Sequence, residues 1–145
     1  MRLFIYACAL ILSSCMVPNF DTPDIDSPEI FIPSVKAPEV IEKTIEISTE
    51  DGGTAIKVND YQVVFSFPGT QSQNTYFGSI FNPKVRQLIS YSIFQTEAGV
   101  RVTGRLKILM NPGGDIERVR DVTYAHTDVV NHMLMDIKRA FPEKG

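Results

Sequence analysis

Residues 100–111 read VRVTGRLKILMN. Val100, Val102, Gly104, Leu106, Ile108 and Met110 fall on one side of an extended chain, and Arg101, Thr103, Arg105 and Lys107 fall on the other. A period of two held this long predicts a strand with one apolar and one basic face. Pro112-Gly113-Gly114-Asp115 follows, a turn whose two glycines are free to take positive φ. Ile116 to Tyr124 is expected to return as the partner strand. Its apolar residues Ile116, Val119, Val122 and Tyr124 break strict alternation, so a bulge is expected in it. Thr127 can cap a last helix over 128–141, with Val130, Met133, Leu134, Ile137 and Phe141 as its apolar stripe, and Pro142 stops it.

Upstream, Ile41 to Ser48 alternates between apolar and polar residues and is expected to be a strand. Asp51-Gly52-Gly53 supplies turn residues, and Ala55 to Phe67 is expected to return as a second strand, with Val63, Phe65 and Phe67 on one face. Pro68 ends that strand, and residues 69–75 have the composition of a polar loop. Asn82-Pro83 predicts a helix start, followed by Val85, Leu88, Ile89 and Ser92 at helical spacing. The order β-β-α-β-β-α predicts an α+β domain over 41–145, a small antiparallel sheet with two helices packed on one face. About 105 residues can bury an adequate core alone.

Prolines at 18, 23, 28, 33 and 38 recur every five residues, each followed by a polar residue and then Phe, Ile or Val. Such spacing excludes a continuous helix and predicts a Pro-rich extended tether over 15–40. Residues 16–50 hold eight acids against two bases, whereas 51–145 hold nine acids against eleven bases. The tether is therefore acidic and the domain slightly basic. The repeat reads either as a solvated spacer or as a row of apolar residues, Phe20, Ile25, Ile30, Val35 and Val40, that docks as an extended strand on a partner or on the domain.

The chain opens with Met1-Arg2, an apolar run from Leu3 to Leu12, and Ser13-Ser14-Cys15. One positive charge, about ten apolar residues and then small residues form the layout of a signal peptide. The run is shorter than the ~20 residues needed to cross a bilayer. Leu12-Ser13-Ser14-Cys15 resembles the lipobox of bacterial lipoproteins. The resemblance implies cleavage after residue 14 and acylation of Cys15 by fatty acids such as palmitate. Three acyl chains exceed the two signals that stable anchoring needs. Met16, rather than Asp, follows the cysteine, which by resemblance to enterobacterial sorting implies an outer-membrane protein facing the periplasm. Cys8 leaves with the peptide, so the mature chain is expected to hold no disulfide, cysteine nucleophile or cysteine-ligated metal.

The last sixty or so residues resemble the C-terminal domain of TonB and TolA, periplasmic proteins that reach the outer membrane. The matching stretches are Lys84 to Ile89, Gly99 to Ile108, Pro112 to Asp115, Ile116 to Val122 and Val130 to Pro142. The resemblance implies the order helix, strand, turn, strand, helix. The chain departs from the family's pattern at Tyr124-Ala125-His126 and at Val130-Asn131-His132-Met133.

Fourteen basic and seventeen acidic residues leave a net charge of −3, not the basic footprint of a dedicated nucleic-acid binder. The phosphate-binding, serine-hydrolase and zinc-protease motifs are absent from the sequence. His126 and His132, six apart, do not share a helix face and predict no metal site, whereas Asp128 and His132 are spaced to pair. No cofactor and no catalytic residue is expected. Arg101, Arg105 and Lys107, with Arg118 and Arg120 on the neighbouring strand, read as a solvated sheet face or as a basic contact surface. Tyr76, Phe77, Phe81, Tyr91 and Phe94 read as core or as a peptide-binding groove.

These features predict a non-enzymatic outer-membrane lipoprotein. It would be an accessory or assembly subunit of an envelope complex of the secretion, pilus or conjugation type, binding a periplasmic or outer-membrane protein. The alternative is a periplasmic binding module for a lipid, glycan or peptide.

Overall fold

The structure, a computed structural model, describes residues 27–142. The expected signal peptide, Cys15 and the first part of the Pro-rich segment lie outside the described residues. Five strands follow one another across an antiparallel sheet: β1 (Glu29–Pro33), β5 (Gly99–Met110), β4 (Arg86–Gln95), β3 (Gln62–Pro68) and β2 (Thr54–Asn59). The sixth, β6 (Arg118–Asp121), also pairs with β5. Helices α1 (Ala37–Glu50) and α3 (Thr127–Arg139) pack on one face, and the short α2 (Gln71–Phe77) joins β3 to β4. The class is α+β with an antiparallel sheet, as the sequence predicts.

The long alternating strand is the centre of the fold. Val100, Val102, Leu106 and Ile108 of β5 are buried against the helices, and Gly104 lies among them. A Cβ at Gly104 would come within 2.6 Å of Val130 Cγ1, so glycine lets α3 approach the sheet closely. Along its outer edge β5 takes two partners in line. β1 pairs with residues 99–103 and β6 with residues 107–110. The gap is filled by Gly104 N donating to Pro28 O at 2.9 Å and by the Thr123 hydroxyl, which bonds both Leu106 N and Leu106 O.

The Pro-rich segment enters the fold within the repeat. The end of its third unit and the start of its fourth form β1, with Ile30 and Ile32 buried and Glu29 and Phe31 outward. Within the tether expected over 15–40, residues 29–33 are strand and 37–40 are helix, and 15–26 lie outside the described residues. Of the apolar row, Ile30 docks as strand, whereas Val35 follows the strand and Val40 belongs to α1. Pro38 sits in the first turn of α1, where an N–H would lack a partner anyway.

Four expected elements are corrected. Ile41 to Ser48 is helix, because the buried stripe is Ala37, Val40, Thr44 and Ser48. Two of those residues are polar and are satisfied inside: Thr44 Oγ1 donates to Val40 O at 2.7 Å, and Ser48 hydrogen-bonds Tyr91. Ala55 to Phe67 is a hairpin. Asn59 Oδ1 accepts from the N–H groups of Tyr61 and Gln62, which turns the chain at Asp60-Tyr61. Residues 69–75 are not simply a loop, because Thr70 and Gln73 form a reciprocal capping box that starts α2. The helix expected from Asn82-Pro83 is β4, whose Ile89, Tyr91 and Ile93 alternate into the core.

The C-terminal expectations hold in outline. β6 is only four residues long, and a 3-10 turn over Tyr124–His126 follows it. The broken alternation of 116–124 reflects that early end, since the β5–β6 register is continuous. The bulge of this sheet lies instead between Ala55 and Lys57 of β2. In α3, Val130, Leu134 and Ile137 are buried, and Met133 and Phe141 pack against the core. Thr127 is inside the helix rather than its cap, its hydroxyl donating to Thr123 O and Tyr124 O.

Candidate interaction surfaces

The helices cover one face of the sheet only. On the opposite face the register places the outward residues of each strand in rows. Arg101 lies between Phe31 and Phe94, Arg105 beside Ser90, and Lys107 between Asp121 and Leu88. Arg86 joins this face, its Nε donating to Ser66 Oγ. Lys57, level with Val64, donates from Nζ to Gln62 Oε1 at 2.8 Å. Arg105 Nε donates to Ser27 Oγ at 3.2 Å. Five basic side chains thus share a strand face with the acids Glu29 and Asp121.

Arg118 and Arg120 do not join that patch. They pair with Met110 and Ile108, whose side chains point to the helix side. The expected five-residue basic patch is therefore divided. Arg101, Arg105 and Lys107 stay together, while Arg118 and Arg120 belong to the far side of β6. The reason is one of phase, because the turn at 112–115 sets even-numbered β6 residues level with even-numbered β5 residues.

The aromatic residues divide as well. Tyr91 is core, 1% exposed and edge-on to Phe65, and Phe77 packs at the core's margin. Phe94 is outward on the open face, whereas Tyr76 and Phe81 are 83% and 97% exposed at the end of the molecule where α2 and β6 meet. Ile80, also 97% exposed, and Tyr124, 88% exposed, join them. The loop carrying Ile80 and Phe81 is held by bonds rather than by burial. Ser79 N donates to Asn82 O, Asn82 N to Ser79 Oγ, and Asn82 Nδ2 to Asn111 Oδ1. Asn74 Oδ1 accepts from Val85 N at the loop's end.

Two grooves meet at Phe77. One, of about 310 Å³, lies among Phe77, Phe81, Met110, Ile116 and Arg118. The other, of about 650 Å³, lies among Tyr76, Phe77, Arg120, Tyr124 and His126. The Arg120 guanidinium stands 5.8 Å from the Phe77 ring centroid, within cation–π range. No family model matches the chain. No curated protein matches it either.

The titratable groups add little chemistry. Among the described residues no cluster of His, Cys, Asp and Glu is arranged to hold a metal ion. His132 pairs with Asp136 at 3.4 Å, one turn beyond it, rather than with Asp128 before it. The phenol of Tyr91 is pushed up to about 12 by burial, against the opposing effect of its hydrogen bond with Ser48. It stays neutral at physiological pH and serves packing.

Sequence reasoning found the basic β5 face. Lys57 and Arg86 join that face only through the registers of β2 with β3 and of β4 with β5. The interval of three between Thr70 and Gln73 is the signal that would have found α2, and with it the grooves.

Proposed function

We propose that the chain is a non-enzymatic outer-membrane lipoprotein, acylated at Cys15. In this reading it is an accessory or assembly subunit of an envelope complex of the secretion, pilus or conjugation type. The observation that carries this reading is the sheet face that no described helix covers, with Lys57, Arg86, Arg101, Arg105 and Lys107 outward. A flat basic surface suits an acidic protein partner, and long-range attraction speeds its capture. The acyl anchor keeps the domain near such partners and raises their effective concentration. The order β5, turn, β6, α3 follows the TonB/TolA likeness and supports a contact role. The strand at 86–95, where that likeness has a helix, limits how far it is carried.

Cross-linking in living cells, purification under denaturing conditions and mass spectrometry test the reading. A reproducible envelope-complex component is expected, lost on Arg101→Glu with Arg105→Glu. No protein above a lipidated control would contradict it. Cys15→Ala is expected to release the chain from membranes, and membrane-bound Cys15→Ala material would refute the anchor.

The two grooves favour a second reading, a periplasmic binding module for a lipid, glycan or peptide. It predicts a ligand-dependent rise in Tm.

A further inference from the structure

β6 has an unused edge. Among the described residues it pairs with β5 alone, and it is short and exposed throughout. Val122 N donates to Leu106 O at 3.0 Å, which fixes the phase of the backbone. In an antiparallel ladder, residues that bond one neighbour alternate with residues that face away from it. Val122, Arg120 and Arg118 therefore turn their backbone groups to β5, whereas Val119 and Asp121 turn theirs to the open side.

The side chains next to that edge are of two kinds. On the helix side Arg118 and Arg120, two residues apart, border the grooves at Phe77. On the open-sheet side stand Val119, 54% exposed, and Asp121. Tyr76, Phe81, Ile116 and Tyr124 extend the exposed apolar surface around the strand. Isolated apolar residues on a surface are ordinary, but a cluster rimmed by charges marks a contact site.

We infer that the edge of β6 binds an extended peptide as an added strand, with acidic residues at alternate positions facing Arg118 and Arg120 and an aromatic residue in the adjoining groove. The side-chain period of a strand brings i, i+2 and i+4 to one face. Two acids at i and i+2 meet the two arginines, and an aromatic at i+4 reaches the Phe77 groove. The residues between them lie beside Val119, and their N–H and C=O groups bond the free groups of Val119 and Asp121. Backbone bonds supply affinity, and the alternate side chains select the sequence. Charge complementarity favours this occupant over a neutral strand or a second copy, since a second β6 would bring further arginines to the same edge. The inference rests on the binding-module reading and narrows it to one ligand class.

The test uses the full-length chain in detergent and a labelled peptide, Gly-Asp-Val-Asp-Val-Phe-Gly, followed by fluorescence anisotropy. Saturable binding is expected. Replacing both Asp by Lys, or N-methylating both Val so that the peptide loses the N–H donors that face the edge, is expected to weaken binding at least about tenfold. Arg118→Glu with Arg120→Glu is expected to exchange the preference so that the Lys peptide binds better. An unchanged circular-dichroism melt shows that the variant is folded. Equal binding of the Asp and Lys peptides, or unimpaired binding of the N-methylated one, would overturn the inference. Absence of binding by every peptide would overturn it too. In that case a Tm rise with a lipid or glycan would keep the binding-module reading, and none with either would remove it as well.

Discussion

At Tyr91 a single hydroxyl links helix to sheet. It lies in the core beneath α1, 1% exposed, and meets the Ser48 side chain. Its folded-state pKa, about 12, stands above the usual value of 10, so the unfolded chain releases this proton first as pH rises. Stability from this group is complete below pH 10 and is lost as pH climbs toward 12. Thermal melts between pH 9 and 12 are expected to show a Tyr91-dependent fall of up to about 3 kcal/mol, which Tyr91→Phe removes. An equal alkaline slope in Tyr91→Phe would show that other groups dominate. Gly104 carries the second residue-scale prediction. Gly104→Val drives a branched side chain into Val130 and Leu134 and is expected to cost on the order of 3 kcal/mol in urea melts. Thr70→Ala removes one half of the α2 capping box and is expected to cost about 1 kcal/mol.

Elements differ in how openly the sequence states them. β5 is legible because its apolar residues alternate without a break and glycine stands where α3 crosses. α3 is legible for the matching reason, since its buried residues Val130, Leu134 and Ile137 keep helical spacing and are all apolar. α1 is not, because its buried stripe runs through Thr44 and Ser48, so the most apolar residues at 41, 45 and 47 trace an alternation that packing does not use. β4 hides in the same way, with Leu88 outward and Ile89 inward imitating a helical pair. The basic patch was half legible. The residue types were visible, but the face of Arg118 and Arg120 depends on the register across a turn. β1 is the element with the largest consequence, because it brings the Pro-rich repeat into the core. Ile30→Ala is expected to cost about 2–5 kcal/mol, and a chain starting at residue 41 is expected not to fold, as read by near-UV circular dichroism. A folded 41–145 chain would show β1 to be dispensable.

The whole molecule has two unlike sides. Two helices close one face of the sheet, and the other carries basic side chains in rows beside Phe31 and Phe94. Antiparallel sheets tolerate water on one face, so the open side costs the fold nothing and is available for contact. Its position relative to the chain entry matters. Ser27 bonds Arg105, so the described chain begins next to the basic rows. In the function proposed above, the sheet is the side that meets the partner and the helices face away from it. A photo-cross-linking residue placed in living cells, at Phe94 on the open face or at Met135 on exposed α3, tests this most directly. The account predicts discrete protein adducts from position 94 and none from position 135. Adducts confined to position 135, or adducts from position 94 that survive Arg101→Glu with Arg105→Glu, would contradict it.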